Sequence, residues 1–371
     1  MTEGLLIYGD TERSADLFHV LPIMIIDPFL YVEVDGRRVA VNSVIERDRI
    51  LGVGGIEVLD MSALGREELL AGGMGYDEAE REIALRACRE LGVTEAVVPQ
   101  DFWTGVADHL RAGGVAVRAD AEHFAARRRS KTAAQVAGIR KAQKAADAAM
   151  GEAARLLRDL PDGISCESVR SSMQAVARDH GCAMADDVIV ARGEQAALGH
   201  ESGHGPVAHG DLILIDIWPR DPVSRCFADM TRTFVAGGAA PDAELLEFWR
   251  LCKEALGVSL AAVRPGVSGR RLYDLSAEVF EAAGKLTQRT KPPGTPLMEG
   301  FNHSLGHGVG LQIHEDPSLG IAGDDLVAGD VITLEPGCYR QGYGGCRLED
   351  LVLVTKDGAE VLTNFPYGLA P

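Results

Sequence analysis

The sequence predicts an α/β protein of two domains, and three observations support this. The chain has 371 residues, more than one compact core usually contains. Its first part alternates short apolar strands with helices, and Asp35-Gly36 between two apolar runs is a strong hairpin signal. Its second part begins with long helices and continues with pairs of strands. We therefore expect a smaller domain over residues 1–127 and a larger one over residues 128–371.

The first domain has the pattern of a small mixed sheet covered by helices. Apolar runs predict strands at 5–8, 29–34, 37–41, 96–99 and 115–117, and helices are predicted at 76–91 and 104–110. No cluster of residues in this domain suggests chemistry. The run of three arginines at 127–129 predicts a solvated linker near residues 125–131.

The second domain opens with a capping box formed by Thr132 and Gln135, which predicts the start of a long helix that ends near Pro161. A shorter helix at 167–178 and a strand at 187–191 follow. Strands are then predicted at 212–217, 226–235, 331–334 and 348–354, with helices at 242–263 and 269–283 between the first pair and the second. This order predicts two similar halves around one curved sheet.

Composition and charge exclude several classes of protein. A formal net charge of −18 argues against a nucleic-acid-binding surface, which needs clustered Lys and Arg. The apolar runs are far shorter than the roughly 20 residues that cross a bilayer. The first residues lack the basic and apolar segments of a signal peptide, so we expect a cytoplasmic protein. Seven cysteines without a C-x-x-C pair predict free thiols.

Four acidic residues stand in or beside apolar strands: Asp216, Asp229, Glu335 and Glu349. A single buried carboxylate could be paired with an arginine or with backbone amides. Four of them, together with His307 in a glycine-rich segment, would repel one another strongly unless cations were present. The set has enough charge for two divalent ions, and its oxygen and nitrogen donors favour Mn, Co, Fe or Zn. The sequence therefore predicts a two-metal hydrolase site.

Histidines are concentrated around these acids. Six of the ten lie between His200 and His314. His303 and His314 flank His307, and His200 precedes Asp216. Imidazoles beside a metal site can hold a substrate carbonyl oxygen or pass a proton to a leaving amine, so we assign such roles to His200, His303 and His314.

The same residues resemble a known family. The segment from His303 to Glu315 reads H-S-L-G-H-G-V-G-L-Q-I-H-E, which is similar to the signature of the proline-specific metallopeptidases prolidase and aminopeptidase P. Four further segments match in the same order: Leu214-Ile215-Asp216, Asp229-Met230-Thr231-Arg232-Thr233, Glu335-Pro336-Gly337 and Arg347-Leu348-Glu349-Asp350. The resemblance is good from Lys131 onward and weaker in the first domain, which resembles that of creatinase and prolidase.

The resemblance implies a pita-bread catalytic domain behind a smaller creatinase-type α/β domain, and a homodimer. It implies that Asp216 chelates one metal, that His307 and Glu335 chelate the other, and that Asp229 and Glu349 bridge both. A hydroxide held between the metals, with Mn the expected ion, would attack the Xaa-Pro bond of a short peptide. Glu335 would be the proton acceptor.

Two residues depart from the family pattern. Trp218 stands where the family usually has glycine, which should alter the wall of the pocket without removing a ligand. Ser318 stands where several prolidases have an arginine that binds the free carboxylate of a dipeptide, and this leaves the substrate open. A longer Xaa-Pro peptide is therefore as plausible as a dipeptide. Relatives that act on non-peptide small molecules, as C–N hydrolases like creatinase or as lyases, are an alternative. A third hypothesis is an inactive binding protein. It would require the loss of a metal ligand, and no ligand of the family pattern is lost.

Overall fold

The computed structural model describes residues 2–371, which form two compact units. The first unit extends to Arg128 and the second runs from Arg129 to Pro371. Each unit has its own hydrophobic core. No helix in the described residues is long and apolar enough to span a membrane.

The first unit is a mixed six-stranded sheet with helices. Its strands are β1 (Thr2–Gly9), β2 (Phe29–Val34), β3 (Arg37–Asn42), β4 (Glu57–Asp60), β5 (Val93–Val98) and β6 (Ala116–Ala119), in the order β4-β3-β2-β1-β5-β6. Its helices are α1 (Ala15–Val20), α2 (Val44–Val53), α3 (Arg66–Ala71), α4 (Tyr76–Glu90), α5 (Thr104–Ala112) and α6 (Ala121–Arg129). The predicted hairpin is confirmed: Asp35 and Gly36 both have positive φ (50° and 76°), as a two-residue type I′ turn requires.

The arginine run is not a solvated linker, so that prediction is wrong. All three arginines belong to α6, where successive side chains point in different directions and reach different partners. Each guanidinium lies within ion-pair distance of a carboxylate: Arg127 with Glu33 (2.6 Å), Arg128 with Asp16 (2.9 Å) and Arg129 with Asp330 (2.7 Å). These partners are distant in sequence, which is why the run alone resembles a linker.

The second unit begins with the predicted long helix. The capping box of Thr132 and Gln135 is present and starts α7 (Ala133–Asp159), which is followed by α8 (Cys166–Asp179), α9 (Ala243–Ala262) and α10 (Gly269–Ala282). The strands are β7 (Ile189–Arg192), β8 (Leu212–Ile217), β9 (Met230–Val235), β10 (Gly306–Gly308), β11 (Glu315–Leu319), β12 (Val331–Leu334), β13 (Gly337–Arg340), β14 (Gly344–Arg347), β15 (Asp350–Val354) and β16 (Ala359–Val361).

Hydrogen bonding divides these strands into three sheets rather than the one continuous sheet expected. β7-β8-β9 form a three-stranded sheet, β11-β10-β12-β15-β16 form a five-stranded sheet, and β13 pairs with β14. The first two sheets approach each other where the Glu349 amide donates to the Thr231 carbonyl, at 3.1 Å. This junction between the sheets, rather than a continuous ladder, brings their acidic residues together.

Candidate metal centre

The four strand acids lie at different positions on their strands. Asp216 is the fifth residue of β8, whereas Asp229 and Glu349 immediately precede β9 and β15, and Glu335 immediately follows β12. The strands predicted at 226–235 and 348–354 therefore start later than expected. Both strands start where the two sheets meet. Asp229 and Glu349 therefore lie at this junction, outside the regular strand pairing.

Three of the predicted ligands come together directly. Ligand atoms of Asp229, His307 and Glu349 lie within 4.8 Å of one another, which is close enough to hold one ion. His307 Nε2 is 3.7 Å from Asp229 Oδ2 and 3.4 Å from Glu335 Oε1. The structure thus places Glu335 in the same cluster. The roles of these residues as chelating or bridging ligands stay a prediction.

Threonine hydroxyls orient two of the carboxylates. Thr231 Oγ1 donates to Glu349 Oε2 at 2.7 Å, and Thr333 Oγ1 donates to Glu335 Oε1 at 3.3 Å. Thr333 Oγ1 also accepts from the His307 amide at 3.1 Å, so one hydroxyl connects the strands that carry His307 and Glu335. Hydrogen bonds of this kind fix a ligand's orientation before a metal binds.

The imidazole of His307 presents Nε2 to the cluster. Its Nδ1 lies 3.0 Å from the Gly308 carbonyl oxygen. Because a carbonyl can only accept, Nδ1 must carry the proton, and Nε2 keeps a lone pair. Burial lowers the pKa of His307, which favours the neutral form that coordinates metals. The ring therefore has the tautomer of a metal ligand.

The carboxylates are in a poor environment for negative charge in the protein alone. Burial, then repulsion from Glu349 and Asp216, raises the pKa of Asp229 well above its usual range. Burial and repulsion from Glu335 do the same to Glu349, and burial raises the pKa of Glu335 to about 7. A cluster that resists ionisation is stabilised by a bound cation, which favours the charged form of each acid.

Asp216 differs from the other acids because it has a cationic neighbour. Its Oδ2 accepts from Arg347 Nη2 at 2.6 Å. Burial alone would lower the pKa of Arg347, but Tyr339 and the carboxylates of Asp216 and Glu335 raise it. Arg347 therefore remains a fixed positive charge beside Asp216.

Two buried oxygens support a metal site. Among the described residues, Asp216 Oδ1 and Asp229 Oδ1 are buried and have no hydrogen-bond partner. An unsatisfied buried carboxylate oxygen costs free energy that a cation would recover. Together with the neutral imidazole and two further acids, these atoms form the oxygen and nitrogen donor set that suits Mn, Fe, Co or Zn. The residues present fit divalent cations.

His303 is held by a chain of hydrogen bonds. Arg347 Nη1 donates to the Tyr339 hydroxyl at 2.9 Å, and this hydroxyl lies 3.0 Å from His303 Nε2. His303 Nδ1 lies 2.7 Å from the Ser304 carbonyl oxygen, so Nδ1 donates and Nε2 accepts from Tyr339. Burial lowers the pKa of His303 to about 3. His303 is neutral, and both of its nitrogens have partners in the protein.

The other two predicted histidines are more accessible. His200 and His314 are exposed and line the same cavity of about 620 Å³ as the acid cluster. The rings of His314 and His307 make an edge contact with centroids 4.4 Å apart. Partial burial of its ring, followed by the neighbouring His307, lowers the pKa of His314. These two histidines are the better placed to contact a substrate.

The fold also brings to the site residues that were not predicted from the sequence. Arg347 and Tyr339 lie on the β13–β14 hairpin, and Thr231 and Thr333 sit beside the acids. The hairpin has short strands and no strong turn dipeptide, so its pairing was not predicted. A buried arginine two residues before Glu349 was the one available signal.

Comparison with known proteins identifies the family. The model of metallopeptidase family M24 matches residues 137–356, more than half of the chain. The chain belongs to this family. Membership confirms the predicted relationship to prolidase and aminopeptidase P, and it implies divalent metal ions, for which Asp229, His307 and Glu349 form the candidate site.

Individual relatives agree with this M24 assignment. A curated Xaa-Pro dipeptidase from Pyrococcus furiosus is 32% identical over 236 residues, which cover 63% of this chain and 62% of that protein. The aligned region thus spans less than two thirds of that relative.

Solved structures extend the likeness to nearly the whole chain. An Xaa-Pro dipeptidase from Bacillus anthracis has a TM-score of 0.81 and 23% identity, covering 99% of this chain and 94% of the other. An X-Pro aminopeptidase from Thermotoga maritima has a TM-score of 0.80 and 21% identity, with coverages of 99% and 97%. At these identities the likeness shows the fold alone. The predicted fold class, an N-terminal α/β domain followed by a pita-bread domain, is confirmed.

Proposed function

We propose that this protein is a two-metal peptidase that cleaves the bond between the first residue and a proline at position two of a short peptide. The observation that carries the proposal is the buried cluster of Asp229, His307, Glu335 and Glu349 inside a cavity of about 620 Å³. The family relationship supports hydrolysis of peptides, and relatives named Xaa-Pro dipeptidase support the proline preference.

The donor set can be divided between two ions. Following the family resemblance, Asp229 and Glu349 would be shared by the two ions, Asp216 would hold one of them, and His307 with Glu335 would hold the other. Divalent ions, when bound, lower the pKa of water and polarise a peptide carbonyl. Mn is the proposed ion.

The chain's own residues would handle the proton and the developing charge. Glu335 would accept a proton from the attacking water, a role suited to a carboxylate that lines the cavity and whose Oε1 lies 3.4 Å from His307 Nε2 in the cluster. The proton would then pass to the proline nitrogen as the C–N bond breaks. His314 and His200, both accessible in the cavity, would donate to the carbonyl oxygen as negative charge develops on it.

His303 would act differently from this pair. Both of its nitrogens are already bonded, to Ser304 and Tyr339, so it would position Tyr339 and Arg347 rather than contact the substrate. The predicted direct role of His303 in stabilising the reacting groups stays a prediction. We propose in addition that it helps to hold Arg347 against Asp216 through Tyr339.

The cavity favours peptides longer than a dipeptide. Ser318 lines it, and Arg347 is the one Lys or Arg among its lining residues in the described chain. That arginine is bonded to Asp216. A dipeptide would place its free carboxylate in this space without a cation to pair with it, which is costly. We therefore propose Xaa-Pro-Yaa peptides as better substrates.

A substrate panel tests the proposal. The chelated protein is supplied with Mn or Co and offered Xaa-Pro dipeptides, Xaa-Pro-Yaa tripeptides and matched Xaa-Ala-Yaa peptides. We expect metal-dependent release of the first residue from the proline tripeptides. Absence of proline-dependent turnover with every metal would overturn the proposed function and favour a non-peptide substrate.

Ser318→Arg should shift preference toward dipeptides, and an unchanged preference would refute the argument from the cavity's charge.

A further inference from the structure

One end of the cavity is formed by an acid and an indole that the proposed chemistry does not use. Asp187 and Trp218 both line the cavity. Ile189 pairs with Asp216 across β7 and β8. Asp187 comes two residues before Ile189, and Trp218 comes two residues after Asp216, so both lie at the same end of this strand pair. They extend the cavity beyond the cluster on the side of Asp216.

Asp187 is the acid in this cavity that is left over. The other acids lining it are the four proposed metal ligands, whose charge bound cations would compensate: Asp216, Asp229, Glu335 and Glu349. Asp187 is exposed, and no described residue from 2 to 371 makes a hydrogen bond or ion pair with its carboxylate. Once the metals are bound, it is the remaining uncompensated negative charge that faces the substrate.

Trp218 provides the surface that complements this charge. Its side chain is half-buried and packs against two hydrophobic clusters, which hold the ring in place. An indole face attracts a cation and also covers the methylene stem of a long basic side chain. An aromatic ring held by packing and an unpaired carboxylate at the same end of the cavity thus fit an ammonium or guanidinium group on an alkyl chain.

The two ends of the cavity can be assigned to the two sides of the cleaved bond. His314 and Ser318 lie on the side of His307, at β10 and β11, where the leaving proline and the following residue would be placed. Asp187 and Trp218 lie instead at the end of the β7–β8 strand pair, next to Asp216. The first residue of the peptide would occupy this second side.

We propose that Asp187 and Trp218 bind the positively charged side chain of a Lys or Arg at the first position of the substrate. The enzyme would accordingly prefer Xaa-Pro peptides that begin with a basic residue. This inference rests on the proposed Xaa-Pro peptidase activity and adds a substrate class to it.

The chain offers a matched control in the neighbouring acid. Asp186 carries the same charge one residue earlier, but its Oδ1 accepts from Gln174 Nε2 at 3.0 Å and it does not line the cavity. Asp187→Asn and Asp186→Asn therefore change the net charge equally. Only the first change removes charge from the cavity.

The test compares kcat/KM for Lys-Pro-Ala and norleucine-Pro-Ala, which differ by the ammonium group, using the Mn-loaded enzyme. We expect the wild type to prefer the lysine peptide by about two- to fivefold, the range of a partly solvated ion pair, and to lose this preference at high salt. Asp187→Asn should bring the ratio of the two kcat/KM values close to one, and Asp186→Asn should keep the wild-type ratio.

Two results would overturn the inference. One is a wild-type enzyme that cleaves both peptides equally well. The other is an Asp187→Asn variant that loses activity on both peptides by the same factor, which would show that the carboxylate binds the α-ammonium shared by the two peptides. If the wild type cleaves neither peptide, the proposed peptidase activity itself fails, and this outcome is distinct from proline-dependent cleavage without charge preference.

Discussion

Two buried arginine–carboxylate pairs lie close together in this protein and differ in how completely they are satisfied. Arg232, which is 1% exposed, makes five hydrogen bonds, one of them to Asp350 Oδ1 at 2.9 Å. The second oxygen of Asp350 accepts from the Tyr367 hydroxyl. Arg347 also holds a carboxylate, Asp216, but Asp216 Oδ1 has no partner in the described chain.

This difference indicates that the Arg232–Asp350 pair is structural and that the Arg347–Asp216 pair belongs to a functional site. Every polar side-chain atom of the Arg232–Asp350 pair has a hydrogen-bond partner within the protein, so the pair needs no ligand to satisfy it. The Arg347–Asp216 pair borders a cluster with unsatisfied buried oxygens and with carboxylates whose pKa values are raised. Thr231 connects the two, since its carbonyl accepts from Arg232 and its hydroxyl accepts from Arg347. We infer that a satisfied scaffold supports a site that is completed by metal ions.

Replacing the arginine of the structural pair, Arg232, should give the largest loss of stability. Arg232→Met leaves Asp350 buried without its cation and should lower the free energy of unfolding by about 3–5 kcal/mol. Chemical denaturation measures this loss, which should be the same with and without Mn. Arg347→Met should lose less stability in Mn than in chelator, because a bound cation can compensate Asp216. Equal losses for Arg347→Met under both conditions would contradict the distinction.

The second effect is a pH dependence of the chelated protein. Burial raises the pKa of Glu335 from an ordinary value of 4.5 to about 7, and Asp229 and Glu349 shift in the same direction. The folded protein then keeps protons that the unfolded chain releases, so the free energy of unfolding should decrease as pH rises from 4.5 to 7. The contribution of Glu335 is on the order of 3 kcal/mol. Denaturation curves across this range measure it.

Mn and a Glu335 variant provide the controls for that slope. Saturating Mn should remove the decrease, because cations favour the ionised carboxylates. Glu335→Gln in chelator should show a shallower decrease than the wild type, since one of the shifted groups is gone. If the chelated wild type and Glu335→Gln have the same slope, Glu335 does not take part in the cluster as described.

The smallest effect compares two tyrosines, one at each arginine. Tyr339→Phe and Tyr367→Phe each remove a hydroxyl that bonds a buried charged group and should each cost about 1–3 kcal/mol of stability. Only Tyr339→Phe removes a hydrogen bond to Arg347, which in turn holds the proposed ligand Asp216. It should therefore also lower kcat, by up to about 10-fold, the low end of the effect of losing a direct partner of a ligand. Similar kcat values for both variants would show that Tyr339 contributes to stability alone, as Tyr367 does.

Much of the site could be predicted from sequence because its acids break strong local patterns. Asp216 interrupts an apolar strand, and Glu335 ends one, so burial of charge was visible without a structure. The family signature then added an order and a role for each residue. The capping box at Thr132 was equally readable, because both of its partners lie within one helical turn.

The remaining features depend on contacts between distant residues. Arg347 and Asp216 are joined by the fold alone, and Arg129 reaches Asp330 in the same way. The separation of the strands into distinct sheets follows from long-range hydrogen bonding that no local periodicity encodes. These are the features that the sequence analysis missed or misassigned.

We infer that Asp229 lies in a site that metal ions complete, whereas Asp350 lies in one that the protein completes by itself. Thermal unfolding of Asp229→Asn and Asp350→Asn, each in chelator and in excess Mn, tests this difference. Asp229→Asn replaces a carboxyl whose ionisation the folded protein disfavours. In chelator the variant should therefore be at least as stable as the wild type, yet Mn should no longer raise its Tm. Asp350→Asn should be less stable under both conditions and should keep the Mn-dependent rise. A Tm of Asp229→Asn that falls in chelator, and that Mn still raises as in the wild type, would show that Asp229 does not belong to a metal site.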